Sequence, residues 1–189
     1  AFKFHHGEII ERTPLYLLPN LAKKLKVGQI LIKDESQRMG LNAFKVLGVY
    51  YAVYKLFEEG VIHKDSTLTT MTDGNHGRAL AYVARNMDLN AVIFVPYNTV
   101  KARINHIRDQ GAKVQVINGT YDEAVEYAKK QAELNNWILI ADQSWIGYTI
   151  IPKNIMIGYT TLFQEAFYQA TIKLQTITHI FIQCGVGGL

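Results

Sequence analysis

The sequence predicts an α/β fold in which open, mostly parallel sheets carry helices on both faces. Short runs rich in Val and Ile alternate with amphipathic helical stretches over residues 43–141, and this alternation is typical of βαβ units. The apolar runs are continuous, which indicates strands that are buried on both faces of a parallel sheet. The chain has 189 residues, which is enough for one domain, or for one domain and part of another.

The elements ahead of this alternation are short. Thr13 is expected to be extended, because the proline that follows it disfavours a helical backbone. The pattern then predicts a short helix over residues 17–26 and a strand over 29–33. After a polar loop, apolar residues at helical spacing predict a helix over 43–59, which Gly60 ends.

Strands and helices then alternate regularly along the chain. The strands are short Val-, Ile- and Thr-rich runs and the helices are amphipathic, with strands at 67–71, 91–95, 113–117 and 137–141 and helices at 78–87, 100–110 and 120–135. Thr120 and Glu123 form a capping box, which predicts the start of the last of these helices.

The last part of the chain is predicted to contain a loop, a helix and a strand. The loop covers 142–152, a long amphipathic helix covers 153–171, and a buried strand covers 179–183. The helix is expected to turn Tyr159 toward the core. A glycine-rich loop at 185–188 follows the strand, and such a loop normally leads into a helix. The chain is therefore expected to be cut within a domain.

Composition excludes some classes of partner. The net charge is +4 without a block of Lys and Arg, so no nucleic-acid partner is expected, and the mildly basic balance suits small anionic ligands. Cys184 is the single cysteine, so no internal disulfide is expected and a reducing, cytoplasmic location is predicted. Apolar runs are shorter than a membrane span, so no membrane partner is expected.

Lys45 is the residue around which the predicted site is organised. It lies in the first turn of the predicted helix 43–59, directly after a polar loop. Helix N-termini carry partial positive charge and favour anions. The ammonium group of Lys45 is therefore expected to release its proton more readily than usual, as a Schiff-base lysine requires. An exposed lysine that extends into water accounts for this loop equally well.

Three loops follow predicted strands and are expected to line one crevice, because ligands of open parallel sheets bind at the carboxyl ends of the strands. These loops are 34–42, 72–77 and 185–188. The last of them can present backbone N–H groups to a phosphate. A tight turn between a strand and a helix is an equally good explanation of its glycines.

Loop 72–77 and Asp142 supply polar candidates. Asn75 can hydrogen-bond the ring oxygen of a planar ligand, and Asp73 can act as a base or hold an ammonium group. Either residue could instead cap the following helix. His76 is expected to hydrogen-bond within its own loop, and no metal is predicted. Asp142 can face the same crevice as Asp73, or it can be a solvated loop residue.

Several motifs together resemble one enzyme family. They occur from Arg12 onward, at Thr13-Pro14-Leu15, Lys33 to Lys45 (KDESQRMGLNAFK), Thr72 to Arg78 (TDGNHGR), Trp145, Gly147-Tyr148, Ile151-Pro152, Gly158-Tyr159, and Gln183 to Gly187 (QCGVG). They resemble the fold-type II pyridoxal-phosphate enzymes, the group of tryptophan synthase β chains, threonine dehydratases and cysteine synthases. Within the group, the chain is most similar to the diaminopropionate ammonia-lyase family. Threonine dehydratases and cysteine synthases usually have Ser or Thr where Asp73 stands.

The resemblance implies a homodimeric enzyme whose subunit has two domains, with pyridoxal 5′-phosphate held between them. Residues 1–35 and 144–189 would belong to the larger domain, which would be incomplete at its C-terminal end, and residues 36–143 would form the smaller domain. Lys45 would bond the cofactor covalently and Asn75 would hydrogen-bond its ring oxygen. The phosphate would be bound by the glycine loop, which comprises Gly185, Val186, Gly187 and Gly188.

The resemblance also implies a reaction, the elimination of ammonia from 2,3-diaminopropionate to give pyruvate and ammonia. Lys45, Asp73 and Asp142 would be the catalytic residues. Carboxylates suit a substrate with a second amino group, whereas a Ser or Thr in place of Asp73 would suit a β-hydroxyl. A serine or threonine dehydratase, a β-replacement enzyme of the cysteine synthase type, and an inactive piece of such an enzyme remain open.

Overall fold

The computed structural model describes residues 10–72, 74–173, 175–185 and 187–189. Its helices and strands are, in chain order, β1 (Leu15–Leu17), α1 (Pro19–Leu25), β2 (Leu31–Lys33), α2 (Lys45–Glu58), β3 (Thr67–Met71), α3 (Asn75–Asn86), β4 (Asn90–Pro96), α4 (Lys101–Arg108), β5 (Lys113–Ile117), α5 (Tyr121–Asn135), β6 (Ile138–Leu139) and α6 (Ile150–Ile172). A short 3₁₀ turn at Arg38–Gly40 precedes α2.

Four strands form a parallel sheet in the order β5-β4-β3-β6. The first two strands form a separate antiparallel pair, in which Leu15 lies opposite Lys33. The predicted α/β class with mostly parallel strands is therefore confirmed. Because β4 and β5 lie on one side of β3 and β6 lies on the other, the strand order reverses between β3 and β6. Ligand sites of open α/β sheets lie at such a switch point.

Strand β4 shows how the sheet is covered on both faces. Ile93 and Val95 belong to the main core, together with Leu80 of α3. Val92 and Phe94 alternate with them and pack in a second cluster with Ala128 of α5. Successive side chains of a strand point to opposite faces, so α3 and α5 cover different faces of the sheet, as the sequence predicts.

Helices α2 and α6 cross in direct backbone contact at two glycines. A Cβ atom on Gly158 would lie 2.5 Å from the carbonyl oxygen of Leu47 and 2.7 Å from the Cα atom of Gly48. A Cβ atom on Gly48 would lie 2.5 Å from Cε1 of Tyr159. These distances leave no room for a side chain, so glycine at both positions sets how closely the two helices approach.

A cluster of buried charges attaches α6 to the segment that precedes α2. The Arg38 side chain is fully buried, and its Nη2 donates to Oε1 of Glu35 and Oε2 of Glu165, both at 2.7 Å. Lys33 Nζ donates to the same Glu165 oxygen at 2.7 Å. Gln169 accepts a further hydrogen bond from Lys33 at 2.9 Å. Glu35 and Arg38 lie in loop 34–42, which the sequence predicts to line the ligand crevice, whereas here they take part in a buried structural cluster.

The predicted strand at 179–183 is absent. Residues 175–185 form no helix or strand, and Phe181 is 94% exposed. A strand is stable only when a neighbour satisfies its backbone hydrogen bonds, and no described strand lies beside this segment. Its apolar pattern is therefore not sufficient to make it a buried strand in this chain.

Two helices begin earlier than predicted. Helix α3 starts at Asn75, so the predicted loop 72–77 ends at Gly74 and its last three residues form the first helical turn. Helix α6 starts at Ile150 and accommodates Pro152 in its first turn, where a missing N–H leaves no helical hydrogen bond unmade. Within the described residues, no helix combines the length and apolar character needed to cross a bilayer.

Replacing Gly158 with Ala should lower the free energy of unfolding by about 1–3 kcal/mol, the usual effect of overpacking. The added methyl group would meet backbone atoms of α2, which cannot rotate away. Gly28→Ala is the matched control, because open space surrounds its Cβ position. Urea denaturation of both variants gives the comparison, and equal midpoints would contradict the close crossing.

Replacing Glu165 with Gln should lower the free energy of unfolding by about 3 kcal/mol at pH 7, since the buried Arg38 and Lys33 would lose the carboxylate that they share and only Glu35 would still pair with Arg38. Burial alone would raise the pKa of the Glu165 carboxyl, but Arg38 and Lys33 outweigh it and lower this pKa. The carboxylate's contribution is complete above the unfolded-state pKa of about 4.3 and is lost as the pH falls through the lower folded-state value.

The measurement is the difference in unfolding free energy between wild type and Glu165→Gln from pH 7 down to acid, where the difference should shrink. Glu126→Gln is the control, because Glu126 is exposed and its pair with Lys129 lies at the surface. Such pairs contribute little to stability. If both variants lose the same stability, the buried cluster does not have the assigned role.

Candidate functional site

Lys45 is the first residue of α2, as the sequence predicts for the first turn of a helix. Its Nζ donates a hydrogen bond to Oδ2 of Asp142 at 2.7 Å. The two side chains are 20% and 17% exposed. The interpretation of Lys45 as a lysine that extends into water is therefore wrong for this structure, because the amine points inward to a partly buried carboxylate.

Two aromatic rings complete the surroundings of the Lys45 amine. Its Nζ lies 5.7 Å from the ring centroids of both Phe44 and Tyr159. These rings pack edge to face at 5.0 Å from each other. Ring faces attract a cation and exclude water, so the amine is held in a partly apolar setting with one strong polar partner.

Asp142 follows β6 and lies at the carboxyl end of the sheet. The interpretation of Asp142 as a solvated loop residue is wrong, because its carboxylate bonds to Lys45 and is mostly buried. Burial by itself would raise the pKa of the Asp142 carboxyl. The charge of His76 when its ring is protonated and the hydrogen bond from Lys45 outweigh burial, and the pKa of Asp142 lies below its usual range.

Tyr148 fixes the backbone next to Asp142. Its hydroxyl donates to the carbonyl oxygen of Leu139 at 2.8 Å and accepts from the N–H of Ala141 at 2.9 Å. Its ring stacks on Trp145 at 4.1 Å between centroids. Burial raises the pKa of Tyr148, so the hydroxyl keeps its proton and remains a donor.

His76 lies in the first turn of α3 and is buried. Its Nε2 is 2.7 Å from the carbonyl oxygen of Ile140, at the end of the neighbouring strand β6. The expectation of a hydrogen bond within its own loop is therefore wrong. Nδ1 lies 3.7 Å from Oδ2 of Asp142 and has no hydrogen-bond partner among the described residues. Burial lowers the pKa of His76, and Lys45 lowers it further against the opposing effect of Asp142.

The end of the glycine loop lies close to the backbone of Asp142. A Cβ atom on Gly188 would lie 3.7 Å from the carbonyl oxygen of Asp142 and 3.8 Å from Cε2 of Tyr159. Gly187 has φ +81°, a backbone conformation that favours glycine. A cleft of about 370 Å³ opens here, lined by Asp142, Gln143, Ser144, Pro152, Met156, Gly187 and Gly188.

The remaining predicted site residues are less fully defined. Asn75 is exposed at the start of α3, and the N-cap of that helix is Gly74, so Asn75 is not its cap. Gly77 lets α3 pack against the sheet, because a Cβ atom there would lie 2.8 Å from Cγ2 of Ile93.

Asp73 and Val186 lie outside the described residues. In the described part of the chain, Gly185 is exposed and no three His, Cys, Asp or Glu side chains could hold a metal together.

These groups fit a small phosphorylated aldehyde such as pyridoxal phosphate. The cleft volume falls in the usual range of about 300–1,000 Å³ for small-molecule sites. A lysine amine and a glycine loop both lie next to Asp142. The Tyr159 hydroxyl is buried without a hydrogen-bond partner among the described residues, and such atoms commonly await a ligand or water. Sequence reasoning placed Tyr159 in the core and did not foresee this polar end.

Comparison with known proteins gives a family for this arrangement. A family model described as pyridoxal-phosphate dependent enzyme matches residues 7–189. The diaminopropionate ammonia-lyase of Escherichia coli (strain K12) is 40% identical over 192 residues, which cover 94% of this chain and 48% of that protein. An L-threonine dehydratase of Lactococcus lactis is 28% identical over 184 residues, which cover 96% of this chain and 41% of that protein.

Solved structures agree with the fold. The apo form of the Escherichia coli diaminopropionate ammonia-lyase matches with a TM-score of 0.92 and 38% identity, over 98% of this chain and 54% of that one. The same enzyme with an aminoacrylate-PLP azomethine reaction intermediate matches with a TM-score of 0.91 and 39% identity, over 98% and 50% of the two chains. This chain therefore spans about half the length of the relatives it matches.

Proposed function

We propose a function from one premise: this chain belongs to the family of pyridoxal-phosphate dependent enzymes. The whole protein is a lyase that eliminates ammonia from 2,3-diaminopropionate, leaving pyruvate and ammonia. The observation that carries the proposal is the contact of 2.7 Å between Lys45 Nζ and Asp142 Oδ2, beside the cleft at Gly187 and Gly188. Similarity to diaminopropionate ammonia-lyases supports the choice of substrate.

The cofactor is held by residues from three parts of the chain. Lys45 bonds its aldehyde carbon, and Asn75 hydrogen-bonds its ring oxygen. The backbone N–H groups of Gly185, Val186, Gly187 and Gly188 bind its phosphate, since glycines allow the backbone to approach an anion closely. When bound, pyridoxal phosphate supplies an electron sink for charge that develops at the substrate's α-carbon.

Protons are handled by Lys45 and two carboxylates. The Nζ of Lys45, once neutral, removes the α-proton from the face of the substrate that it contacts. Asp142 accepts the hydrogen bond of the resulting ammonium group, a contact that the chain already makes at 2.7 Å. Asp73 is the candidate base for the opposite face of the substrate, because Asp142 lies on the side of Lys45.

The charge of the site favours a diamine over a hydroxy amino acid. The second amino group of 2,3-diaminopropionate is cationic, and a carboxylate that pairs with it forms a charge-assisted hydrogen bond. Asp142 keeps its negative charge, because its pKa is lowered. The sequence has a second carboxylate at Asp73. Dehydratases and cysteine synthases usually have Ser or Thr at this position.

A dehydratase acting on serine or threonine is the second candidate. The similarity to a threonine dehydratase favours it, although the identity is lower. A β-replacement enzyme of the cysteine synthase type and an inactive piece of such an enzyme are less well supported, because no contact in the described part of the site favours either over the lyase.

The assembly belongs to the same proposal. Residues 1–35 and 144–189 are assigned to the larger domain and 36–143 to the smaller one. The enzyme is a cytoplasmic homodimer. Exposed apolar side chains of α6, among them Phe167 and Tyr168, are available to a second copy or to further parts of the polypeptide.

Lys45→Ala should abolish covalent capture of pyridoxal phosphate by the complete polypeptide, because the Lys45 amine is the group proposed to bond the aldehyde. Capture is measured as near-visible absorbance, and as an adduct that borohydride fixes and that mass spectrometry maps to the Lys45 peptide. Lys55→Ala is the control on the same helix, since Lys55 pairs with Glu58 at the surface. A covalent adduct that persists at an unchanged level in Lys45→Ala would refute the assignment.

The wild-type enzyme should turn over 2,3-diaminopropionate at least about tenfold faster than serine or threonine, since an unpaired carboxylate facing a neutral β-hydroxyl lowers transition-state binding. Release of ammonia and pyruvate is measured for both stereoisomers of each substrate. Faster turnover of serine or threonine would assign a dehydratase. Cofactor binding without turnover of any of the three would point to an inactive protein or to β-replacement chemistry.

A further inference from the structure

His76 occupies a position that the proposed roles leave unexplained. Its ring is 5% exposed, and its Nδ1 atom lacks a hydrogen-bond partner among the described residues. The same atom lies 3.7 Å from Oδ2 of Asp142. Buried polar atoms are nearly always hydrogen-bonded, and an exception calls for a physical explanation, of which a catalytic role is one.

The other ring nitrogen fixes the tautomer of His76. Nε2 lies 2.7 Å from the carbonyl oxygen of Ile140, and a carbonyl oxygen can only accept a hydrogen bond. Nε2 therefore carries a hydrogen, and in the neutral ring Nδ1 presents a lone pair toward Asp142. A lone pair facing a carboxylate oxygen is repulsive, whereas a proton on Nδ1 would turn the contact into an attractive one.

Lys45 and His76 compete for one oxygen atom. Lys45 Nζ and His76 Nδ1 both face Oδ2 of Asp142, at 2.7 Å and 3.7 Å. While Lys45 is an ammonium group, it satisfies Asp142 and repels a second positive charge on His76. If Lys45 loses its proton, Asp142 loses its counter-charge and His76 becomes the group able to replace it.

Few other groups take part in this exchange. Among the described residues, the charged groups that interact electrostatically with His76 are Asp142, after β6, and Lys45, on α2. Strand β6 contributes the carbonyl oxygen of Ile140. On helix α3 itself, Arg78 donates to the carbonyl oxygen of Leu41 at 2.9 Å.

We propose that His76 is a positioning residue that takes, through Asp142, the proton that Lys45 must lose before its amine can bond an aldehyde. An N–H bond of Lys45 breaks as Oδ2 accepts the proton, and the proton then bonds to Nδ1. Lys45 ends as a neutral amine, Asp142 as a carboxylate and His76 as an imidazolium, so the net charge is unchanged. The ring and the carboxylate must approach by about 0.5–1 Å to reach hydrogen-bond distance. The inference rests on the proposed function in that Lys45 is the amine that bonds the aldehyde.

The first test is a titration of the His76 ring by NMR in the cofactor-free complete polypeptide. Lys45→Met removes the competing charge and should raise the pKa of His76, and Asp142→Asn removes the attractive charge and should lower it. Both variants keep the side chain's approximate size. An unchanged pKa of His76 in Lys45→Met would overturn the inference, whatever the cofactor does.

The second test is the pH dependence of the rate at which pyridoxal phosphate is captured. In His76→Gln, the amide can still donate to Ile140 but cannot take a proton, so capture at pH 7 should slow by about tenfold or more. The difference should shrink at higher pH, where solvent removes the proton. His63→Gln is the matched control, since His63 is exposed.

The outcomes separate the two proposals. An unchanged rate and pH profile in His76→Gln overturns the role of His76 and leaves the covalent role of Lys45 intact. Absence of capture in the wild type overturns the proposed function. The pKa of His76 in Lys45→Met still tests whether Lys45 and His76 are coupled. If His76→Gln does not fold, the titration in Lys45→Met decides.

Discussion

The backbone contact between α2 and α6 is the constraint on which the site depends. Gly48 lies three residues after Lys45, so the crossing point is about 4.5 Å along the helix from the lysine. Gly158 is followed directly by Tyr159, whose ring contacts Gly48 and stands beside the lysine amine. One close crossing thus places the amine beside the Tyr159 ring, and neither helix can move without separating the glycines.

The sheet supplies the opposing side of the site. Strand β6 ends three residues before Asp142, and three hydrogen bonds hold the backbone between them, two through Tyr148 and one through His76. The carboxylate is therefore attached to the sheet and the amine to the helix pair. Their contact of 2.7 Å joins two structural units, so the ion pair links the sheet to the helix pair.

Local patterns determined which parts of this arrangement the sequence could predict. Strands β3 and β5 have the predicted bounds, and the capping box of Thr120 and Glu123 is present, because both depend on residues close in the chain. The contact of Lys45 with Asp142 spans 97 positions; the resemblance to a family assigned both residues to one site but did not predict that they touch. Phe181 misled the prediction because a strand needs a partner, which no local pattern reveals. The burial of Arg38 was not predicted, because three of the four residues that accept its hydrogen bonds are distant in the chain, namely Glu11, Thr13 and Glu165.

The buried charges and the glycine crossing act on one face of α6. Gly158 and Glu165 are seven residues apart, which is about two helical turns. At one point α6 contacts α2, and at the other it holds Arg38, in the turn that precedes α2. Between these attachments Met39 adopts φ +49°, a conformation that a side chain of its size strongly disfavours. Such a backbone persists only where its surroundings over-determine it. The segment leading to Lys45 is therefore fixed at both ends, and the amine is positioned before any ligand arrives.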